Sequence, residues 1–414
     1  MLRFITTHYK ILLFGFLTAF FTAPGQTFLV SLFIPHLRDL LNTDQSGISA
    51  VYSAATLLSA LVLPLWGNLL DKMHLRKFSL LIAGGLACGC FVLSNAHGIA
   101  AVMLGFFLIR NMGQGTLQLI SSTTMARIFF ASRGKALGLA NLGYPVSEAF
   151  FPFVIMVIIG RHDWRMGWVC LALLVTAVYM PAVWALLRVP GSDSEIKDEM
   201  EQIENQAAHN LQHVISMKPA QIAKDYRFYL ALPATLLYAC FLTALFFHQV
   251  RLIDLRGWKV GLIPAAFIVY GLFRAPASFL AGPIIDKIGA KKVFPYTVIP
   301  MMLGLVVFRF SDHYMGLFFY MAFLGFGVGF SMTVISALWA ELYGTKYLGS
   351  IKGVLSSFMV FSTACAPILF GIILDAGVSF RVFIPALLLI CLIVSVSAWL
   401  ACNDSFFGRK PVQF

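Results

Sequence analysis

GNLLDKMHLRK, residues 67–77, returns in altered form as GPIIDKIGAKK, residues 282–292. A shift of 215 residues lays Gly67, Asp71, Lys72, Arg76 and Lys77 on Gly282, Asp286, Lys287, Lys291 and Lys292. The same shift puts Asp39 on Asp254, Gly138 on Gly353 and Pro152 on Pro367. One ungapped offset that satisfies all of these marks an internal repeat spanning the chain. Each half is then one structural body, built twice.

Composition says what solvent surrounds those bodies. Of 414 residues, 59% are hydrophobic and 12% charged, whereas soluble domains carry about 25% charged residues. Too little charge is present for a hydrated shell, and the 39 Phe suit lipid-facing and helix-packing surfaces. The net charge of +12 raises the question of nucleic acid. The basic residues instead sit in short clusters between apolar runs, as the positive-inside rule places them beside membrane spans. No nucleic-acid partner is expected; the partner is the lipid bilayer.

A membrane-spanning helix needs about 20 mostly apolar residues. Twelve windows qualify: 11–36, 47–70, 78–96, 98–124, 134–159 and 166–188, then 228–252, 261–285, 292–310, 314–338, 350–374 and 379–401. Backbone polar groups in hydrocarbon must be satisfied within the segment, so these windows are predicted helices. The expected fold class is an all-α membrane protein, two six-helix bundles related by a pseudo-two-fold axis. The bundles cover 1–188 and 228–414, and the polar segment 189–227 reads as a cytoplasmic linker. The N-terminal apolar run continues past Val30, so it reads as the first span and not as a cleaved leader.

Of the 30 basic residues, 20 fall on the side of the termini and eight on the other; Arg110 and Arg274 lie inside spans. That ratio puts both termini in the cytoplasm of an inner, or plasma, membrane. The seven cysteines mostly lie in apolar runs without CxxC or Cys/His spacing, so neither disulfide nor metal is expected. There is no P-loop, HExxH or GxSxG motif. No cofactor and no enzymatic chemistry are predicted.

The stretches 67–77 and 282–292 resemble the loop signature of the major facilitator superfamily, with His74 where glycine is usual. The resemblance implies a secondary transporter working by alternating access, its substrate held near mid-membrane between the halves. It also implies a conformational latch of Gly67, Asp71, Arg76, Lys77, Arg133, Gly282, Asp286, Lys291 and Lys292, whose carboxylates meet a cation or a helix N-terminus. A single chain is expected to suffice. FFASRGKALGLANLG (129–143), KDYRFY (224–229) and LFRAPASFLAGPIID (272–286) resemble the monocarboxylate and oxalate/formate-type branch. There an arginine of span 8 faces the cargo; here it is Arg274. The aspartate that the monocarboxylate members carry one turn earlier is Tyr270 here, and span 11 lacks the lysine of oxalate-type members.

Ionisable groups inside a span cost about 2.5–3.5 kcal/mol, so each needs a partner or a purpose. Three lie well inside: Arg110, Glu148 and Arg274. Arg274 offers a fork matched to a carboxylate. Arg110 and Glu148 read as a buried ion pair on spans 4 and 5, or Glu148 as the carrier of a coupling proton. Gln26, Gln118, Asn141, Tyr144, Tyr238 and Tyr270 are candidate cavity-lining groups, although interhelical hydrogen bonding explains such residues equally. His248 and Trp339, near span ends, are weaker candidates. The expected cargo is a small organic anion, with a proton or counter-anion as coupling partner. Two alternatives stand beside it: a proton-coupled exporter of drugs, siderophores or other amphiphiles, and a transport-inactive receptor or sensor on the same scaffold.

Overall fold

The computed structural model describes residues 2–129, 133–187, 219–222, 224–343 and 348–403. Contacts divide the chain into two compact units, Met1–Asn210 and Leu211–Phe414. Most of the segment 189–227 lies outside the described residues; within it the turn Pro219–Ile222 is helical. All regular structure among the described residues is helical.

Eleven helices among the described residues are long and apolar enough to cross a membrane. The remaining run is span 4. It proceeds from Ile99–Leu108 through the π-helix Ile109–Leu117 to Gln118–Ile128. Arg110, Asn111 and Gln114 make its centre more polar than the other spans. Twelve helical runs therefore stand where twelve windows were predicted.

In the first unit, span 1 begins as Leu2–Phe20 and then breaks. Pro24 and Gly25 sit in a 3-10 turn, Ala23–Gly25, and Gln26 is extended at φ −85°, ψ 144°. The chain resumes as Thr27–Val30 and Ile34–Leu40. Proline lacks the amide that would continue the ladder, so a break here follows from the sequence TAPGQT. Span 2 is Gln45–Lys72, capped by Asp44, whose carboxylate accepts from the Gly47 amide at 2.7 Å. Span 3 is Leu75–Ser94, span 5 joins Arg133–Asn141 to Gly143–Arg161, and span 6 runs from Trp164–Leu174 to Met180–Leu186. Trp168 stacks on Phe33 at 4.2 Å, and Tyr179 stacks on Phe21 at 5.0 Å while donating to Thr18 Oγ1 at 3.1 Å. These contacts tie span 6 to span 1.

In the second unit, span 7 is Tyr226–Phe247, extended by Gln249–Leu255, and span 8 is Ile263–Ile288. Span 9 ends in Ile299–Phe310; spans 10, 11 and 12 are Met315–Tyr343, Leu348–Asp375 and Phe380–Cys402. Neighbours repeat between the units: 2 packs on 4 as 8 on 10, 1 on 5 as 7 on 11, and 3 on 6 as 9 on 12. His248 closes span 7, its Nε2 2.8 Å from the Pro367 carbonyl oxygen of span 11.

Candidate functional site

The break in span 1 and the π-helix in span 4 meet at glycine. A Cβ on Gly25 would collide with the Ile109 carbonyl, and Gly113 has the Gly25 backbone 3.0 Å from its own Cβ position. Only residues without side chains allow that approach. It brings the loosened backbone of span 1 to Arg110, which is 4% exposed. The guanidinium donates from Nε to Thr56 Oγ1 at 3.1 Å and from Nη1 to the Gly25 carbonyl at 3.1 Å. A longer contact from Nη1 reaches Thr27 Oγ1 at 3.5 Å. The ring of Tyr52 lies 5.0 Å from the guanidinium carbon.

The expected ion pair of Arg110 with Glu148 is not the arrangement found. Neutral acceptors of spans 1 and 2 hold the arginine instead. Hydrogen bonds to a charged group contribute about 1.5–3 kcal/mol each, and two of them offset the roughly 2.5–3.5 kcal/mol of insertion cost. The acceptors exist because the 3-10 turn points the Gly25 carbonyl sideways. Glu148 is buried in span 5 at 8% exposure and has its interactions elsewhere. Beside Arg110, Asn111 donates from Nδ2 to the Ser59 carbonyl at 2.9 Å, and Thr116 donates to the Asn111 carbonyl at 2.8 Å across five residues. This last bond satisfies a carbonyl that the wider π ladder leaves skewed.

The other candidates of this unit spread out. Gln26 caps the span 1 break, its amide nitrogen 3.5 Å from Thr22 Oγ1. Gln118 and Asn141 are exposed, and Tyr144 is half-buried with its carbonyl accepting from Ser147 at 2.7 Å. No hydrogen bond that the described residues show joins them to Arg110.

In the second unit Arg274 is half-buried, with its guanidinium carbon 5.9 Å from the Tyr270 ring one turn earlier. Tyr270 is buried among aromatic rings, 5.5 Å from Phe246 and 6.0 Å from Phe267. Tyr238 is buried too and donates to the Thr297 carbonyl at 2.9 Å. Its hydroxyl fills the place where a Cβ on Gly327 would stand. Tyr238 therefore braces spans 7, 9 and 10, which corrects its expected place on a cavity wall. Trp339 is buried against Phe228 at 5.4 Å, a packing role.

Of the latch residues, the side chains of Asp71, Asp286 and Arg133 lie outside the described residues. Arg76 sits 6.0 Å from the Trp184 ring, and Lys77 and Lys292 are exposed. Lys291 is half-buried. Gly67 and Gly282 end the two signature helices in loose surroundings. One residue of this region escaped sequence reasoning. Glu341 of span 10 accepts from the Ala290 amide at 2.7 Å and so caps the start of span 9. Gly289 makes the turn at φ 88° and leaves room for that carboxylate. The available signal was a lone carboxylate one turn before the end of span 10.

Helices of membrane-spanning length, a doubled signature loop and charges buried inside spans define a multi-pass membrane protein of the secondary-transport class. The family model described as Major Facilitator Superfamily matches residues 15–269 and 252–411. The chain belongs to that superfamily; it is a transporter and not an enzyme. Two solved structures resemble it along nearly their whole length. A D-xylose-proton symporter is 14% identical with a TM-score of 0.71, covering 97% of this chain and 99% of its own. A point mutant of the nucleoside transporter NupG is 14% identical with a TM-score of 0.66, covering 95% and 98%. At that identity the likeness speaks for the fold. A search of curated proteins returns no match.

Proposed function

We propose that the protein moves a small organic anion, such as a monocarboxylate, by alternating access, with proton symport or anion exchange. The observation that carries this reading is Arg274: a cation inside span 8, half-buried, set one turn beyond Tyr270 and 5.9 Å from its ring. Arginine stays charged at any physiological pH and offers parallel donors to a carboxylate. The branch resemblance of 129–143, 224–229 and 272–286 supports the same cargo class. One structural neighbour is by its title a proton symporter, which supports a coupling proton. The cargoes that the neighbours' titles name are uncharged, and two intramembrane arginines favour an anion here. Both termini are placed in the cytoplasm by the 20-to-8 split of basic residues.

The test is uptake of labelled lactate into proteoliposomes under an imposed proton gradient. Wild-type protein is expected to accumulate lactate and Arg274→Gln to lose it by more than tenfold. The burial of Glu148 favours a second reading, export of amphiphiles through a cavity with one acidic group. Under that reading Arg274→Gln transports normally and Glu148→Gln abolishes drug-dependent proton flux.

A further inference from the structure

The geometry points to a second anion contact, Arg110, held within the first unit and recognising a carboxylate through its Nη2 edge. This inference rests on the organic-anion reading above and adds a residue to it. Three observations carry it. Every acceptor around the guanidinium is neutral: the Gly25 carbonyl, Thr56 Oγ1, Thr27 Oγ1 and the face of Tyr52. Hydrogen bonds of this kind satisfy donors without cancelling charge, so the positive charge persists in a low-dielectric setting.

The bonds are also one-sided. They engage Nε and Nη1, while Nη2 makes no hydrogen bond to a described residue and is not among the sealed, unpartnered nitrogens of the unit. That edge of the fork is open.

The acceptors are themselves fixed. Thr56 donates its hydroxyl hydrogen to the Tyr52 carbonyl at 2.8 Å, leaving a lone pair for Nε. Thr27 and Tyr52 share a hydrogen bond of 2.9 Å. The arginine cannot swing to follow a partner, so the partner must come to it. A preorganised, uncompensated cation with one free edge is built for an anionic ligand. A static arginine would be expected to spend both edges.

Equilibrium binding of labelled lactate to purified full-length protein in nanodiscs tests this, with lactamide as a neutral probe of the same shape. Arg110→Gln is expected to raise the lactate Kd at least tenfold. Arg110→Lys, which keeps a charge and loses the fork, should raise it several-fold. Thr56→Val, which only loosens the fork, should give a smaller loss. Lactamide binding should change less than twofold in all three, which a merely structural disturbance would not respect. Should Arg110→Gln fail to fold, the lysine and valine variants decide. Lactate affinity within twofold of wild type in Arg110→Lys and Thr56→Val, with binding lost in Arg274→Gln, would overturn this inference alone. A wild-type protein that binds no lactate would overturn the anion reading and this inference together.

Discussion

Span 4 packs on its neighbours through polar side chains, whereas span 10 packs through glycines. The repeat makes these helices equivalents, and the 215-residue shift lays Arg110 directly on Gly325. In the first unit, Arg110 and Asn111 reach across to Thr56 and the Ser59 carbonyl of span 2. In the second, Cβ atoms on Gly325 and Gly329 would collide with the Tyr270 and Arg274 carbonyls, so spans 8 and 10 touch backbone to backbone. Close backbone contact moves elsewhere in the first unit, to Gly25 and Gly113 between spans 1 and 4. Between spans 7 and 10 the Tyr238 phenol stands instead. Duplicated architecture thus permits a division of labour: one copy keeps a buried charge, the other a tight seam.

The sharpest way to break that contrast is Gly329→Leu. The new side chain has no room against the Arg274 backbone, and overpacking of this kind costs about 1–3 kcal/mol or more. We expect a large fall in melting temperature and in monodisperse protein by size-exclusion chromatography. A substitution at Gly84, which has nothing within 4 Å of its Cβ position, should be silent in the same assay.

Asn111→Ala tests the polar side of the contrast. It removes the bond to the Ser59 carbonyl, which contributes about 0.5–1.5 kcal/mol. A moderate drop in melting temperature is expected, smaller than at Gly329. An equal or larger drop would mean that span 4, not span 10, carries the tighter seam.

The smallest effect lies at the helix starts. Asp44 caps span 2, while span 8 begins through the 3-10 turn Val260–Leu262 without a side-chain cap. The Gly47 amide, and secondarily the Ser46 hydroxyl, lower the Asp44 pKa below its ordinary value. A lowered folded-state pKa makes the stabilisation complete above the ordinary carboxylate pKa, and it is lost as pH falls through the depressed one. Asp44→Ala should therefore lower the melting temperature slightly at neutral pH and match wild type in acid. A difference unchanged from neutral to acid pH would remove the capping account.

The twelve spans were legible because hydropathy and loop charge report directly on lipid and on the cytoplasmic face. So was the doubled loop, since Gly67 and Gly282 or Lys77 and Lys292 survive at one offset. The partner of Arg110 was not legible. Sequence reasoning pairs charges with charges, and Glu148 was the nearest opposite sign. The actual acceptor, the Gly25 carbonyl, is a backbone group that only the break at Pro24 and Gly25 frees. The π-helix was equally hidden, since an apolar pattern reads much the same for closure over four residues or five. Glu341 was missed because its partner is an amide, Ala290, with no side-chain signature. The glycines of span 10 were visible as letters, but their meaning depends on which helix they face.

The π segment has one more consequence. Closure over five residues wraps more chain into each turn than the α ladder does, so Ile109–Leu117 holds slack within span 4. Excising a single residue there would let the ladder heal to ordinary α geometry. Everything beyond it would then turn by about 100° about the axis. Gln118, now exposed on one flank, would be carried to another. Residue bookkeeping in this helix therefore acts as an angular setting, and an insertion or deletion would re-aim the distal half without altering a single side chain.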